Sequence, residues 1–194
     1  MGEEAFDYPC AGRHPWLLGL GFFALYAATC ATTVQGGDSG QFTLIAALGG
    51  FAHAPGYPLH SLFLTTLGAL PFNPAWISAL ASAIWAALAV AVVAKTHKGP
   101  AGLVAGAALG VTPIFWNYAV VAEVFAGAAL SFALVLYVAS RIAAGARGPK
   151  WQLALGLAVA TGIAHHHVIV FLAPLAFWAW WTAGWRHRTR RSRG

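Results

Sequence analysis

The chain has 194 residues, of which 59% are hydrophobic and only 8% are charged, and its net charge is +6. Soluble domains carry roughly a quarter charged residues, so this composition excludes a soluble globular domain, a disordered chain and a nucleic-acid-binding module. The mean hydropathy of +0.68 and the nine tryptophans instead indicate a polytopic integral membrane protein with an all-α fold.

Six apolar runs are candidate membrane-spanning helices, since a span needs about 20 mostly apolar residues. In chain order they cover residues 15–34, 74–94, 101–115, 119–140, 151–164 and 168–185. With the N-terminus in the cytoplasm, all 11 lysines and arginines fall on the cytoplasmic side, which is a strong positive-inside pattern. We therefore predict a single membrane domain over 15–185, between a cytoplasmic N-terminus at 1–14 and a basic cytoplasmic tail at 186–194.

The first outer loop, residues 35–73, contains two apolar stretches that are too short to span, at 42–49 and 59–70. We predict that they form short helices at the outer surface of the membrane. Pro55 and Pro58 cannot continue a helix and Gly56 permits a tight turn, so a rigid turn separates the two helices. This turn holds His53 and His60 on the side that carries Asp38.

Two of the five acidic residues lie outside the first seven positions, and both fall at the predicted outer face. Asp38 follows the first span, and Glu123 lies about one turn into the fourth. An ionised group near hydrocarbon is costly, so acids at this depth tend to be functional. The alternative for Asp38 is to cap a helix starting near Gln41, and the alternative for Glu123 is a buried contact with Tyr118 or a histidine.

Histidines are the candidate anion-binding groups of this face. His53 can donate to an anionic group or coordinate one, and His60 lies nearby. Three adjacent histidines, His165, His166 and His167, follow the fifth span. On a regular helix they would point about 100° apart and could not all bind one metal ion. We expect one of them to face the pocket and contact phosphate, unless all three are polar helix-end residues at the interface.

Tyr57 and Asn117 complete the candidate binding residues of the predicted outer face, which carries no lysine or arginine. An isolated carboxylate there can act as a general base toward a hydroxyl, or hold a divalent cation through its oxygens. A proton relay through aspartate, glutamate and histidine is the competing use. The sequence therefore does not determine the cofactor. If a divalent cation binds, Asp38 and Glu123 are its predicted ligands.

The motifs resemble those of a known family when they are taken together and in order. They are Gly37-Asp38-Ser39-Gly40-Gln41-Phe42, Ala52-His53-Ala54-Pro55-Gly56-Tyr57-Pro58-Leu59, Phe115-Trp116 and Glu123-Val124-Phe125. This combination is similar to the DUF2723 family, which includes protein O-mannosyltransferase-like membrane proteins of the GT-C glycosyltransferase superfamily. The resemblance covers roughly residues 15–185 and corresponds to the N-terminal part of longer family members.

The resemblance implies transfer of a sugar from a polyprenyl-phosphate carrier to an acceptor hydroxyl at the outer face of the membrane. It implies that Asp38 is the catalytic carboxylate after the first helix and that Glu123 is the second acid. The leaving phosphate needs polarised groups. Without an outer lysine or arginine, these would be His53, His60, the histidines at 165–167 or a bound metal ion.

The resemblance also implies that membrane lipid surrounds the protein. Because the larger family members have more helices than this chain, a partner subunit could supply the missing ones. Together with the composition it points to a bacterial inner membrane. Two other functions remain open: a proton-coupled transporter that uses the acids and histidines as a relay, and a non-catalytic scaffold or assembly subunit. Against the transporter, both acids lie near span ends, whereas transport sites usually lie near the midplane of the bilayer.

Overall fold

A computed structural model describes residues 12–97 and 99–191, with the backbone alone over 185–191. Within these ranges the fold is all-α, as predicted, and has no β-strand. One 3-10 helix, His167–Leu172, precedes the last α-helix. The α-helices are α1 His14–Thr29, α2 Ser39–Leu48, α3 Pro58–Leu67, α4 Pro74–Thr96, α5 Gly99–Val111, α6 Pro113–Val120, α7 Phe125–Ala143, α8 Pro149–His165 and α9 Ala173–Arg191.

Helix α4 is the centre of the bundle, because α1, α2, α3, α5, α6 and α7 all contact it. Its buried face is made of small residues, including Ala79, Ala83 and Ala86, which are completely buried. A Cβ added at Gly19 of α1 would lie 2.8 Å from the Cβ of Ala91. Small residues at such contacts let helix backbones approach closely, which is how helices associate in a membrane.

The bundle has one end that carries basic residues. The Lys95 ammonium at the end of α4 lies 5.2 Å from the ring centroid of Trp16 at the start of α1. The Arg141 guanidinium near the end of α7 lies 5.6 Å from the ring of Trp151 at the start of α8. We call this the basic end.

The acids lie at the opposite end, which we call the acidic end. There, Asn73 caps the start of α4 and donates from its side chain to the carbonyl of Thr32, which follows α1 (3.1 Å). The amide of Ala31 donates to the carbonyl of Val120 at the end of α6 (2.8 Å). Asp38 and Glu123 follow these two segments directly. The structure therefore separates the two acids from the basic end, in line with the charge pattern of the sequence.

Three helical segments are long and apolar enough to cross a membrane: Pro74–Thr96, Phe125–Ala143 and His167–Gly184. A fourth candidate is the pair Gly99–Val111 and Pro113–Val120, if the bent pair is one span. The structure thus supports a membrane protein with three to four candidate spans in its described part. The predicted spans at 15–34 and 151–164 correspond to α1 and α8, which have 16 and 17 residues. The six-span topology stays a prediction.

The predicted third span is not one straight helix. Helices α5 and α6 meet at an angle of 67° around Thr112. Pro113 has no backbone N–H to continue the helix, and the residue before a proline is driven out of the helical conformation. Accordingly, Thr112 is extended, with φ −61° and ψ 125°.

The position predicted for Glu123, one turn into a span, is also wrong. Helix α6 ends at Val120, Val121 is extended with φ −117° and ψ 161°, and α7 begins only at Phe125. Glu123 therefore lies in a short connection that a continuous apolar run does not reveal.

The two short helices predicted between the first two spans are confirmed as α2 and α3. The Ser78 hydroxyl of α4 donates to the carbonyl of Phe42 in α2 (3.2 Å), which ties the loop to the bundle. Their position at a membrane surface, the cytoplasmic termini and the single membrane domain over 15–185 stay predictions. Parts of both predicted terminal segments, residues 1–11 and 192–194, lie outside the described residues.

Candidate active site

Asp38 is the N-cap residue of α2, which begins at Ser39, two residues before the predicted start near Gln41. Its carboxylate makes no capping hydrogen bond to the first turn of the helix. Instead, Ser39 closes the preceding turn, because its hydroxyl accepts the amide of Gln35 (3.1 Å). The Asp38 side chain is half-buried and is not used to cap the helix, which weakens the capping interpretation.

Glu123 is a buried acid whose backbone is held by α4. The Ser82 hydroxyl donates to the Glu123 carbonyl (2.9 Å) and accepts its amide (3.1 Å). Only 8% of the Glu123 side chain is exposed. Burial raises the pKa of the carboxyl and the charge of Asp38 raises it further, although the backbone N–H groups of Asp38 and Val124 act in the opposite direction.

The two acids share one site although 85 positions separate them. A Cβ added at Gly37 would lie 2.7 Å from Oε1 of Glu123, so this carboxylate rests directly against the backbone of the Asp38 turn. Their charges interact, as the effect of Asp38 on the Glu123 pKa shows. The structure therefore brings the two predicted catalytic residues together.

Tyr57 joins this pair from the turn before α3. It is buried and has a left-handed backbone with φ 42°, which a non-glycine residue rarely adopts and which often marks a functional position. Burial raises the pKa of its hydroxyl, and the charges of Asp38 and Glu123 raise it further, so the hydroxyl lies near both acids.

His53 lies at the rim of the site. Its side chain is exposed, and its ring is 5.8 Å from the ring of Tyr57 at an angle of 85°. Its Nδ1 is 2.6 Å from Oε1 of Gln41, so this nitrogen carries the proton and donates it. A neutral His53 then presents Nε2 as an acceptor, and a protonated His53 presents it as a donor to an anion.

The three adjacent histidines do not lie on one regular helix. Helix α8 ends at His165, His166 is extended with φ −157° and ψ 125°, and His167 begins the 3-10 helix. The ring of His166 lies 5.3 Å from that of Tyr57 and stacks on His167 at 4.8 Å. Because Nδ1 of His166 accepts the amide of Val168 (3.1 Å), its Nε2 is the nitrogen available to donate.

His165 and His60 are buried, unlike His53 at the rim. Nε2 of His165 lies 3.2 Å from the carbonyl of Val124, the residue after Glu123. The His60 ring is completely buried, 5.2 Å from that of His165 and 4.9 Å from that of Phe42. Burial, followed by the nearby His165, lowers the pKa of His60 to about 3. A fully buried, neutral His60 packs against Phe42 and His165 and does not reach a bound substrate directly.

Within the described part of the chain, no hydrogen bond joins Asn117 to either acid, and the structure gives little support to the predicted metal site. Asn117 is exposed on α6, while its neighbour Tyr118 packs against Phe125 at 4.7 Å. Among the described residues, no group of three or more histidines, cysteines, aspartates or glutamates could hold a metal ion. A cation bound by Asp38 and Glu123 alone stays a prediction.

Sequence reasoning missed three residues that position the site: Gly37 and Ser82, which contact Glu123, and Gln41, which contacts His53. Ser82 offered a signal, because it is a polar residue within the alanine-rich α4 and has to find a hydrogen-bond partner when it is buried. Gly37 offered a weaker signal as part of the Gly36-Gly37-Asp38 turn.

Replacing Gly37 by alanine should strain the turn and displace the Glu123 carboxylate. Gly37 has φ +69°, and a left-handed backbone costs an L-residue about 1–2 kcal/mol, to which the close contact with Oε1 adds. We expect thermal unfolding of G37A in detergent to show that the free energy of unfolding falls by at least this amount. Gly36→Ala is the matched control, because nothing lies within 4 Å of a Cβ added there. Equal stability of the two variants would contradict this description of the turn.

Fold and site together define an all-helical membrane protein with two interacting carboxyl groups at the end opposite its basic residues. A sequence model described as the protein O-mannosyl-transferase TMEM260 N-terminal domain matches residues 94–189. The mouse protein O-mannosyl-transferase TMEM260 is 31% identical over 134 residues, which cover 60% of this chain and 19% of that protein.

A second relative is the Dictyostelium discoideum protein O-mannosyl-transferase tmem260, which is 28% identical over 120 residues, or 56% of this chain and 14% of that protein. The chain thus spans less than a fifth of the length of the curated relatives that it matches. No solved structure matches. These similarities support a relationship to O-mannosyltransferase-like membrane proteins.

Proposed function

We propose that this chain is, or is part of, a GT-C-type membrane glycosyltransferase. It would transfer a sugar from a polyprenyl-phosphate donor to an acceptor hydroxyl at the outer face of the membrane. The names of the relatives suggest mannose as the sugar and a protein hydroxyl as the acceptor. The observation that carries the proposal is the meeting of Asp38, Glu123 and Tyr57 at the acidic end of the bundle.

Asp38 is the proposed general base, because its carboxylate is the more exposed of the two acids and makes no capping hydrogen bond. The acceptor oxygen attacks the anomeric carbon of the sugar while its proton passes to the Asp38 carboxylate. The bond between that carbon and the phosphate oxygen breaks, and polyprenyl phosphate leaves with the electron pair. Glu123 is held against the Asp38 turn as the supporting acid, or as a second ligand if a divalent cation binds.

The leaving phosphate needs donors, and His53, His166 and His167 are the proposed ones. All three lie around Tyr57 or stack on a residue that does. Donors placed where charge develops stabilise the transition state, which compensates for the absence of lysine and arginine among the described residues at the acidic end.

The proposed topology has six spans, with the basic end in the cytoplasm and the acidic end outside, in a bacterial inner membrane. The outer loop over 35–73 then places its two short helices at the membrane surface. Since the relatives are more than five times longer than the matched segment, we propose that elements binding the acceptor lie outside these 194 residues, in a longer protein or a partner subunit.

The test is transfer of labelled mannose from polyprenyl phosphate mannose to a serine- or threonine-containing peptide by the purified protein. We expect a labelled peptide and free polyprenyl phosphate in equal amounts. Release of mannose without peptide labelling would indicate that the acceptor-binding elements are missing. Absence of both products, under conditions in which a longer relative is active, would overturn the proposal of an enzyme.

A proton-coupled transporter is tested with the same preparation in proteoliposomes. Uptake that is driven by a proton gradient and lost in Asp38→Asn, without sugar transfer, would favour that alternative. A scaffold would show neither activity, and its function would survive the replacement of Asp38.

A further inference from the structure

An apolar groove runs along the outside of the bundle between α1 and α4, far from the acids. Its volume is about 310 Å³, and its walls include Trp16, Leu20 and Phe23 from α1 and Ile84, Leu88 and Ala91 from α4. Leu20 is 62% exposed and Leu88 36% exposed, so the groove is open to its surroundings. In a membrane protein such a surface faces the acyl chains of lipids.

The groove ends at a positive charge. Ile84, Leu88, Ala91 and Lys95 follow one another at intervals of four, three and four residues, which places them on one face of α4. Lys95 therefore continues the groove wall toward the basic end. Its ammonium lies 5.2 Å from the ring of Trp16, which lines the groove from the other side.

Tryptophan and lysine at this position have the chemistry of a membrane interface. Tryptophan rings favour the headgroup level, and lysine extends its charge toward it. The acids within the described ranges, Asp38 and Glu123, lie at the opposite end of the bundle. Among the described residues no acid lies at the basic end, so the phosphate of a ligand there would complement the charge of Lys95.

We propose that this groove binds one anionic glycerophospholipid of the leaflet at the basic end. One acyl chain lies in the groove between α1 and α4, and the phosphate contacts Lys95 beside Trp16. This site is separate from the proposed transfer site, because it lies at the other end of the bundle and uses none of the residues proposed for catalysis.

The test is native mass spectrometry of the purified protein in neutral detergent, titrated with phosphatidylglycerol and separately with phosphatidylcholine of the same acyl chains. One charge near a lipid surface is worth about a fivefold change in affinity, so Lys95→Gln should weaken phosphatidylglycerol binding about fivefold and leave phosphatidylcholine unchanged. Lys150→Gln is the matched control, because Lys150 also lies beside a tryptophan ring at the basic end, but outside the groove. The affinity of K150Q for phosphatidylglycerol should stay within twofold of that of the unmodified protein.

A second pair of variants tests the groove itself. Leu20→Trp and Leu88→Trp each place a large ring in the groove. Both variants should bind phosphatidylglycerol and phosphatidylcholine more weakly. Equal binding of the two lipids by the unmodified protein, or equal losses in K95Q and K150Q, would overturn the proposal. So would unchanged binding in both tryptophan variants, or a protein dimer that these variants dissociate, since a second copy would then be the occupant.

Discussion

Replacing Asp38 by asparagine is expected to lower the turnover rate of sugar transfer by about 10²- to 10⁴-fold, the usual contribution of a general base. Asparagine keeps the size of the side chain but cannot accept the proton of the acceptor hydroxyl. The fold should tolerate the change, because the Asp38 side chain makes no capping hydrogen bond to α2. The measurement is the initial rate of labelled-mannose transfer at saturating donor, with circular dichroism as the check on folding.

Glu123→Gln is the matched comparison for this variant. Burial and the charge of Asp38 raise the pKa of Glu123, which favours the neutral carboxyl that glutamine imitates. We therefore expect E123Q to lose less activity than D38N. If E123Q were the more damaged variant, Glu123 would be the base, and the roles proposed for the two acids would have to be exchanged.

The all-α fold was predictable because a membrane requires long apolar segments and a characteristic distribution of lysine and arginine, and both are visible in the sequence. The two short helices α2 and α3 and the separation of basic from acidic residues follow directly from segment length and from the positions of lysine and arginine. The interruptions were not predictable in the same way. The backbone leaves the helical conformation at Thr112 and Val121, and only Pro113 marks the first of these breaks in the sequence.

The candidate site was predictable as a set of residue types but not as an arrangement. Asp38 and Glu123 stood out because acids are rare in this chain, and the structure brings them together. The sequence did not show which histidines face the site, because an imidazole ring can be either buried or exposed in a folded protein. The helix ends at His165, so His165 is buried against the carbonyl of Val124, whereas the ring of the next residue, His166, lies beside that of Tyr57.

Acidification is expected to destabilise the protein through His60. Burial, followed by the nearby His165, lowers the pKa of His60 from 6.5 to about 3 in the folded state. Between these values the unfolded chain binds a proton that the folded chain excludes, so the free energy of unfolding falls as the pH falls, by up to about 1.4 kcal/mol per pH unit. This stabilisation is complete above the pKa of the unfolded state and is lost as the pH approaches that of the folded state.

The contribution of His60 can be isolated with two substitutions that do not titrate. Glu123 acts in the opposite direction, because its raised pKa makes the folded state bind a proton more tightly, so only differences between variants are informative. His60→Phe keeps a ring against Phe42 and removes two buried nitrogens that have no hydrogen-bond partner, while His60→Gln keeps polarity. Thermal unfolding from about pH 7 to pH 5 should show a flatter dependence in both variants, whatever their absolute stabilities, because the contribution of one buried imidazole is removed while that of His165 remains. An unchanged slope in both would mean that the buried ring already has access to protons in the folded state.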